Sequence, residues 1–372
     1  MAKKYAAVAI TRNGIRLALE LAGRMEETEV YCYAKYSGGL SEEPGERRLF
    51  DGPLKALLPD LFRRYEGLIL FFSLGAAVRL LAPLLEHKTA DPAVVVIDER
   101  GEHVISMLSG HLGGANQLTL RIAGLLGAHP VITTASDVQG SFAVDLLGRE
   151  FGWRAERPAP LKAVSAALVN GEPVAVVQTC GERDWLPSGA VQPEHVSRLP
   201  GVTGLAAAGT AWAAAIVITD RLLSAGEQAL LPAETVVYRP RSLVLGLGCN
   251  RGTSEAELEA VVKDTLAALE LSSLSVRNVA TAAIKGDEAG LLALCAKYDW
   301  ELQLYTPEEL NRIAVPVPSE VVFRATGAYG VCEPAALLSS GAADLLQPKL
   351  KSGNVTIAVA RVPYADEGMA VE

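Results

Sequence analysis

Short apolar runs alternate with stretches of helical spacing from the N-terminus onward, and this rhythm constrains the fold more than any other property of the chain. Residues 5–10, 29–33, 67–72 and 93–98 read as strands, and residues 15–25, 54–65, 75–85 and 113–126 as helices. Strands that are apolar throughout and alternate with helices belong to a parallel sheet covered by helices. The segment 36–46, with Gly38-Gly39 and Glu43-Pro44-Gly45, reads as a loop.

After Asp137 the rhythm weakens. Residues 142–151 and 160–170 have helical spacing, 173–178 and 215–219 read as strands, and 235–239 as an extended run, with a Pro- and Gly-containing stretch at 187–204. A fresh βα pattern begins after Arg241-Ser242. Strands at 243–248, 275–281, 301–305 and 354–360 alternate with helices at 255–269 and 289–298 and shorter ones at 307–312, 319–325 and 334–340. The expected class is therefore α/β. An N-terminal α/β domain with a mostly parallel sheet (1–136) precedes a small middle region (137–240) and a separate C-terminal α/β domain (241–372).

Composition narrows the partners. A formal net charge of −9 argues against nucleic acid, which requires a basic footprint, but leaves room for an anionic small molecule held by local Arg and Lys. The five cysteines (Cys32, Cys180, Cys249, Cys295 and Cys332) form no C-x-x-C pair and are odd in number. They predict reduced thiols rather than a zinc site or disulfides. No apolar run follows the basic start, and none reaches membrane-spanning length, so the expected setting is the cytoplasm, with no membrane partner.

Five turns carry residues suited to chemistry. In Phe72-Ser73-Leu74-Gly75-Ala76-Ala77-Val78-Arg79 a strand enters a helix through small residues. Free backbone N–H groups there, with Arg79 one turn in, suit a carboxylate or phosphate; equally, Ser73 caps the helix and Arg79 faces water. In Ser109-Gly110-His111-Leu112-Gly113-Gly114-Ala115-Asn116 three glycines in five positions mark a special turn. His111 is suited to acid–base work near neutrality and Asn116 to donating to an oxyanion; a lone loop histidine is also commonly bonded to backbone.

The third turn, Gly246-Leu247-Gly248-Cys249-Asn250-Arg251-Gly252-Thr253-Ser254, is one residue too long for the dinucleotide fingerprint and lacks the Gly-Lys-Ser/Thr of a phosphate loop. It predicts a helix capped by Ser254 with Glu257 in a capping box, and Arg251 again points to an anion. Cys249 reads as a packed structural thiol. In Gly330-Val331-Cys332-Glu333-Pro334, Pro334 suits the first helical position, which makes Glu333 either a cap or a general base. Last, Lys349 and Lys351, with Ser352 and Asn354, form a basic rim or an edge-protecting turn.

Together these motifs resemble one family. Leu81-Ala82-Pro83-Leu84-Leu85, Lys88-Thr89-Ala90-Asp91-Pro92-Ala93-Val94-Val95-Val96-Ile97-Asp98-Glu99, Ile105-Ser106-Met107-Leu108 running into the His111 turn, and Pro130-Val131-Ile132-Thr133-Thr134-Ala135 resemble the N-terminal region of the cobalt-precorrin-5A hydrolase family. Residues 246–253, 282–288, Pro318-Ser319-Glu320-Val321-Val322 and 348–356 resemble its C-terminal domain. That domain alone is also similar to a stand-alone protein of the aerobic cobalamin pathway.

The resemblance implies a hydrolase acting on a carbon–carbon bond in anaerobic cobalamin biosynthesis. It opens a lactone on a cobalt tetrapyrrole and releases acetaldehyde. Of the residues in the turns above, His111 or Glu333 would supply the base and Asn116 a donor to the oxyanion. Ser73, Gly75, Arg79, Ser109, Gly113, Gly248, Arg251, Thr253, Lys349, Lys351, Ser352 and Asn354 would hold the substrate's carboxylate arms. No metal site and no separate cofactor are implied, because cobalt arrives within the substrate. The expected partners are the tetrapyrrole and, transiently, neighbouring pathway enzymes, for a monomer or a homo-oligomer. The alternative is a non-catalytic corrinoid-binding or hand-over protein.

Overall fold

The computed structural model describes residues 3–37, 47–87, 90–111, 113–135, 142–156, 159–186 and 192–364. Parts of the expected loops at 36–46 and 187–204 (38–46 and 187–191), and Leu112, lie outside the described residues. The chain divides into two compact units, Met1–Leu146 and Leu147–Glu372. No described helix is long and apolar enough to cross a membrane.

Among the described residues, the first unit builds one sheet from β1 (Tyr5–Ala9), β2 (Thr28–Tyr33), β3 (Arg47–Phe50), β4 (Gly67–Phe71), β5 (Ala93–Ile97), β6 (His103–Leu108) and β7 (His129–Val131). Their order is β3-β2-β1-β4-β5-β6-β7. β1 to β5 run parallel, β6 is antiparallel to β5, and β7 follows β6 in parallel. The alternation of strand side chains explains the two covered faces. Ile69, Phe71, Val95 and Ile97 pack under the helices Arg12–Arg24 and Ala115–Leu126, with Ile15, Leu21 and Ile122. Leu68, Leu70, Val94 and Val96 pack on the opposite face with Leu58 and Leu61 of the helix Leu54–Arg64 and Ala77 and Leu81 of the helix Leu74–Leu81. Each such side chain, fully removed from water, contributes roughly 1.5–3 kcal/mol. β3, β6 and β7 are strands that the sequence pattern did not reveal, because their residues are only partly buried and mix polar with apolar types.

The second unit contains two sheets. The middle one has the order β10-β9-β11-β12-β8, from β8 (Arg154–Ala155), β9 (Val174–Gln178), β10 (Val196–Leu199), β11 (Ala214–Ile218) and β12 (Thr235–Arg239). The helix expected at 142–151 is replaced by two 3-10 turns, Val144–Leu146 and Arg149–Phe151, parted at Gly148, whose φ of 63° an α-helix does not accommodate.

The C-terminal sheet has the order β15-β14-β13-β17-β16, from β13 (Leu243–Cys249), β14 (Val276–Ala282), β15 (Glu301–Tyr305), β16 (Leu345–Ser352) and β17 (Val355–Arg361). β13, β14 and β15 are parallel, whereas β17 is antiparallel to both β13 and β16. The helices Glu255–Ala268 and Ala289–Tyr298 cover one face through Leu258, Val262, Leu291 and Leu294. The helix Cys332–Ser340 covers the other with the small residues Ala335 and Ala336. It lies so close that a Cβ on Gly246 would stand 1.8 Å from the Cys332 carbonyl oxygen.

Buried Asp220 joins the middle and C-terminal sheets. It accepts from Arg361 Nε at 2.7 Å, from Arg361 Nη2 at 2.9 Å and from Ser242 Oγ at 2.8 Å.

Candidate active site

In the C-terminal sheet the strand directions bring the polar turns to one edge. β13, β14 and β15 end there, and the turn between β16 and β17 lies beside them, because Cys249 pairs with Val355. The turn after β13 is held by its own bonds. Thr253 Oγ1 donates to the Asn250 carbonyl at 2.8 Å, and Asn250 Nδ2 donates to Asn354 Oδ1 at 2.8 Å. Ser254 caps the next helix by accepting from the Glu257 N–H. The expected capping box is only half made, because the Glu257 carboxylate instead accepts from the Asn354 N–H at 2.9 Å and its side-chain amide at 3.3 Å. Asn354 therefore fastens the hairpin to this helix. Gly248 lies under Thr356, whose hydroxyl donates to the Gly248 carbonyl at 3.3 Å.

Arg251 points to acids in the neighbouring loop. It donates to Asp287 Oδ1 at 2.6 Å and stands 3.3 Å from Glu288 Oε1. Glu288, 3 % exposed, also accepts from Lys285 Nζ at 2.9 Å and from the Gly252 N–H at 3.0 Å. The Lys285 ammonium above all, then the Gly252 N–H and Arg251, hold its carboxyl below the usual glutamate range. The charge of Arg251 is thus balanced within the loop. Lys349 and Lys351 on β16 are exposed and pair with no carboxylate among the described residues. They are the cations of this edge open to a ligand, beside the exposed Ser352.

Glu333 is buried, and its Oε1 accepts from the Lys349 backbone N–H at 3.1 Å. The helix begins at Cys332 with Val331 as N-cap, so Glu333 lies in its first turn and Pro334 two residues further in than expected. Burial raises the Cys249 thiol and pushes Cys332 up to about 11, so both are protonated near neutrality and neither is a ready nucleophile.

The N-terminal sheet disposes its turns differently. Ser73 and Gly75 lie at the C-terminal end of β4, where the helix Leu74–Leu81 starts. Ser73 takes the N-cap position without a side-chain cap bond, and Arg79 folds back on the Gly75 carbonyl at 3.3 Å. The strand order reverses between β1 and β4, so these residues face the start of the helix Arg12–Arg24, capped by Thr11. Thr11 donates to Glu99 Oε2 at 2.9 Å. Thr11 escaped the sequence reading, although a Thr three residues before Gly14 at a strand–helix junction is a recognisable cap, and Glu99 entered it only as the end of a family block.

The His111 turn lies at the opposite edge. β6 runs back along β5 and pairs Leu108 with Val94, so the chain leaves it beside the start of β5, where Ser109 Oγ donates to the Asp91 carbonyl at 3.0 Å. The length of β5, about 17 Å at 3.3 Å per residue, separates this turn from the Ser73 edge. The turn is tightly built, since a Cβ on Gly113 would fall 2.3 Å from the Ser109 Cβ. Asn116, 3 % exposed, accepts from Ser106 Oγ at 2.6 Å and donates to Thr134 Oγ1 at 3.0 Å. His111 is partly buried, with Asp145 Oδ1 standing 3.9 Å from its Nδ1. Asp145 had no motif around it to mark it in the sequence.

Three family models match the chain. Cobalamin synthesis G N-terminal covers residues 56–137, Cobalamin biosynthesis central region 142–240, and Cobalamin synthesis G C-terminus 243–360. A cobalt-precorrin-5A hydrolase from Priestia megaterium is 49% identical over 361 residues, 97% of this chain and 95% of its own. The enzyme of that name from Salmonella typhimurium is 34% identical, over 94% of this chain and 95% of its own. Among solved structures, a putative cobalamin biosynthesis protein G homolog from Sulfolobus solfataricus aligns over 97% of this chain and 98% of its own, with 18% identity and a TM-score of 0.36.

Proposed function

The chain belongs to the cobalt-precorrin-5A hydrolase family, and on that premise we propose that it opens the ring-A δ-lactone of cobalt-precorrin-5A with water. The excised carbon and its methyl then leave as acetaldehyde, giving cobalt-precorrin-5B. The observation that carries this reading is the 49% identity to the Priestia megaterium hydrolase, which extends across N-terminal, middle and C-terminal regions alike. A non-catalytic corrinoid carrier needs no such full-length likeness to a hydrolase.

The chemistry needs a base for water and donors for the carbonyl oxyanion. Proton removal from water lets its oxygen attack the lactone carbonyl, and collapse of the tetrahedral intermediate leaves a carboxyl group and an alcohol. Deprotonation of that alcohol breaks the adjoining C–C bond. Acetaldehyde departs, and the electron pair enters the conjugated macrocycle, which is reprotonated.

We assign the base to His111, because a carboxylate facing Nδ1 orients an imidazole for proton transfer. Glu333 is the competing candidate. Asn116, bonded to Ser106 and Thr134, acts on the turn that presents His111. Lys349, Lys351 and Ser352 bind acetate or propionate arms, each lysine contributing about 1 kcal/mol or less in so exposed a setting. No resident cofactor enters the scheme, since cobalt comes with the substrate, and the reaction belongs in the cytoplasm.

The test is anaerobic incubation of the purified protein with cobalt-precorrin-5A, trapping acetaldehyde as a hydrazone. Acetaldehyde formed in step with the mass change of the tetrapyrrole is the expected result. Binding without release would transfer the protein to the carrier class.

A further inference from the structure

Between β15 and the helix Cys332–Ser340 the chain makes an excursion that the catalytic scheme does not use. It encloses a pocket of about 300 Å³ lined by Leu310, Ile313, Val315, Pro318, Tyr329 and Gly330. Tyr329 of this lining stacks face to face on the ring of Phe323, with centroids 4.5 Å apart and planes 23° from parallel. Apolar side chains continue outward into solvent: Val317 is 73% exposed, Val321 79%, Phe323 37% and Tyr329 40%. A contiguous apolar surface of this kind marks a binding site more often than chance exposure.

Polar bonds hold this shelf open instead of letting it collapse. Asn311 donates to the Gly327 carbonyl at 2.9 Å and accepts from the Tyr329 N–H at 3.1 Å. The Ser319 N–H donates to the Tyr329 carbonyl at 3.0 Å. The shelf therefore presents its rings in a fixed orientation. Charge indicates the occupant. Arg312 and Arg324, both exposed, flank the apolar residues and pair with no carboxylate among the described residues. Of the local acids, Glu309 is engaged in the capping box of Thr306, while Glu308 and Glu320 sit in first turns of helices, where the dipole favours them. The shelf also adjoins the edge already described. A Cβ on Gly330 would stand 3.7 Å from Pro334, and the adjacent Glu333 bonds to the Lys349 backbone.

We propose that this shelf seats a face of the tetrapyrrole, with the outer face of the Phe323–Tyr329 stack against the conjugated ring and Arg312 and Arg324 on its peripheral carboxylates. This rests on the hydrolase reading for the identity of the ligand. A flat, apolar ring fringed with anions matches an apolar surface flanked on both sides by cations; a peptide lacks the ring, and a nucleotide carries its anions at one end only.

The experiment compares the full-length protein with Phe323→Ala, Tyr329→Ala, Arg324→Gln and Val317→Ser/Val321→Ser. The last pair lies so far in solvent that loss of folding cannot explain its effect. Binding of uroporphyrin I, a flat octacarboxylate tetrapyrrole, is followed by its Soret band, and acetaldehyde release gives KM and kcat. Ring removal should weaken binding and raise KM about fivefold to tenfold, with kcat within about twofold. Arg324→Gln should weaken binding about threefold, the difference vanishing at high salt. Unchanged affinity in every variant, or no porphyrin binding by the wild type, overturns the seat. A wild type that binds porphyrin through the shelf but releases no acetaldehyde keeps the seat and sinks the hydrolase reading. If sedimentation shows a dimer that the Val317→Ser/Val321→Ser protein loses, with porphyrin affinity unchanged, the shelf is a self-association face and the proposal falls.

Discussion

The N-terminal and C-terminal sheets are built from the same βα alphabet, yet they place their polar turns in opposite ways. In the C-terminal sheet three parallel strands end at one edge and the β16–β17 turn joins them, so Gly248, Arg251, Thr253, Ser352 and Asn354 share a border. In the N-terminal sheet β6 reverses direction, and the His111 turn lies a strand's length from Ser73, Gly75 and Arg79. Two turns that look alike in sequence therefore differ in meaning. The direction of the preceding strand, not the glycine content, decides which turns can share a ligand. The N-terminal sheet offers a histidine backed by an acid, the C-terminal edge a set of cations with a buried glutamate.

The proposed base, His111, belongs to the first of these sheets and the competing candidate, Glu333, to the second, so comparing the two is the sharpest way to test the reading. His111→Gln should reduce the rate of acetaldehyde release by about 10²- to 10⁴-fold with little change in tetrapyrrole affinity, whereas Glu333→Gln should retain most turnover. The opposite ranking in single-turnover kinetics would move the base to the C-terminal edge. Next in size, Asp220→Ala leaves the guanidinium of Arg361 without its buried partner and should cost about 3 kcal/mol or more. Calorimetry should show the loss in the transition of the second unit, with the first unit unaffected; equal shifts in both would mean that the two units unfold together.

Smaller effects test the division of labour among cations. Lys349→Ala and Lys351→Ala should each raise KM about threefold to fivefold, less so in high salt, and leave kcat unchanged. Arg251→Ala should alter KM less than either, because Asp287 and Glu288 already balance its charge. A larger effect of Arg251 would show that it leaves those acids for the substrate. The smallest change concerns acid stability. The Glu288 carboxyl is held below its usual range, first by Lys285, so its stabilising contribution is complete above the unfolded value of about 4.3 and disappears as pH falls through the lower folded value. Glu288→Gln should therefore flatten the loss of stability on acidification below about pH 4.3, read by urea melts at successive pH values.

Much of the architecture was legible because its signals are local. The apolar runs that became β1, β4, β5 and β13 are recognisable from their own residues, as is the Ser254 cap. Cys249 is half-buried, and partial burial raises its thiol, as suits a structural cysteine better than a nucleophile. The chemical setting of the polar residues was not legible. Arg251 looks like an anion clamp in isolation, but acids 36 and 37 positions later neutralise it. Glu257 looks like half of a capping box, but a loop 97 residues away takes its carboxylate. Asp145 had no motif to mark it, and the block 282–288 did not show that Glu288 is buried against Lys285 and Arg251.

The sequence by itself determined most of the buried strands and the amphipathic helices, the faces they bury, and the family to which the chain is similar. Hydrophobic periodicity and helix capping depend on residues within a turn or two of one another, and those neighbours are fixed by covalent order. Only the tertiary structure decided the direction of β6, the edge at which each turn emerges, and which acids meet Arg251, Lys285 and Arg361. Those outcomes depend on strand pairing and on Coulomb partners brought together from distant parts of the chain, where proximity is created by folding.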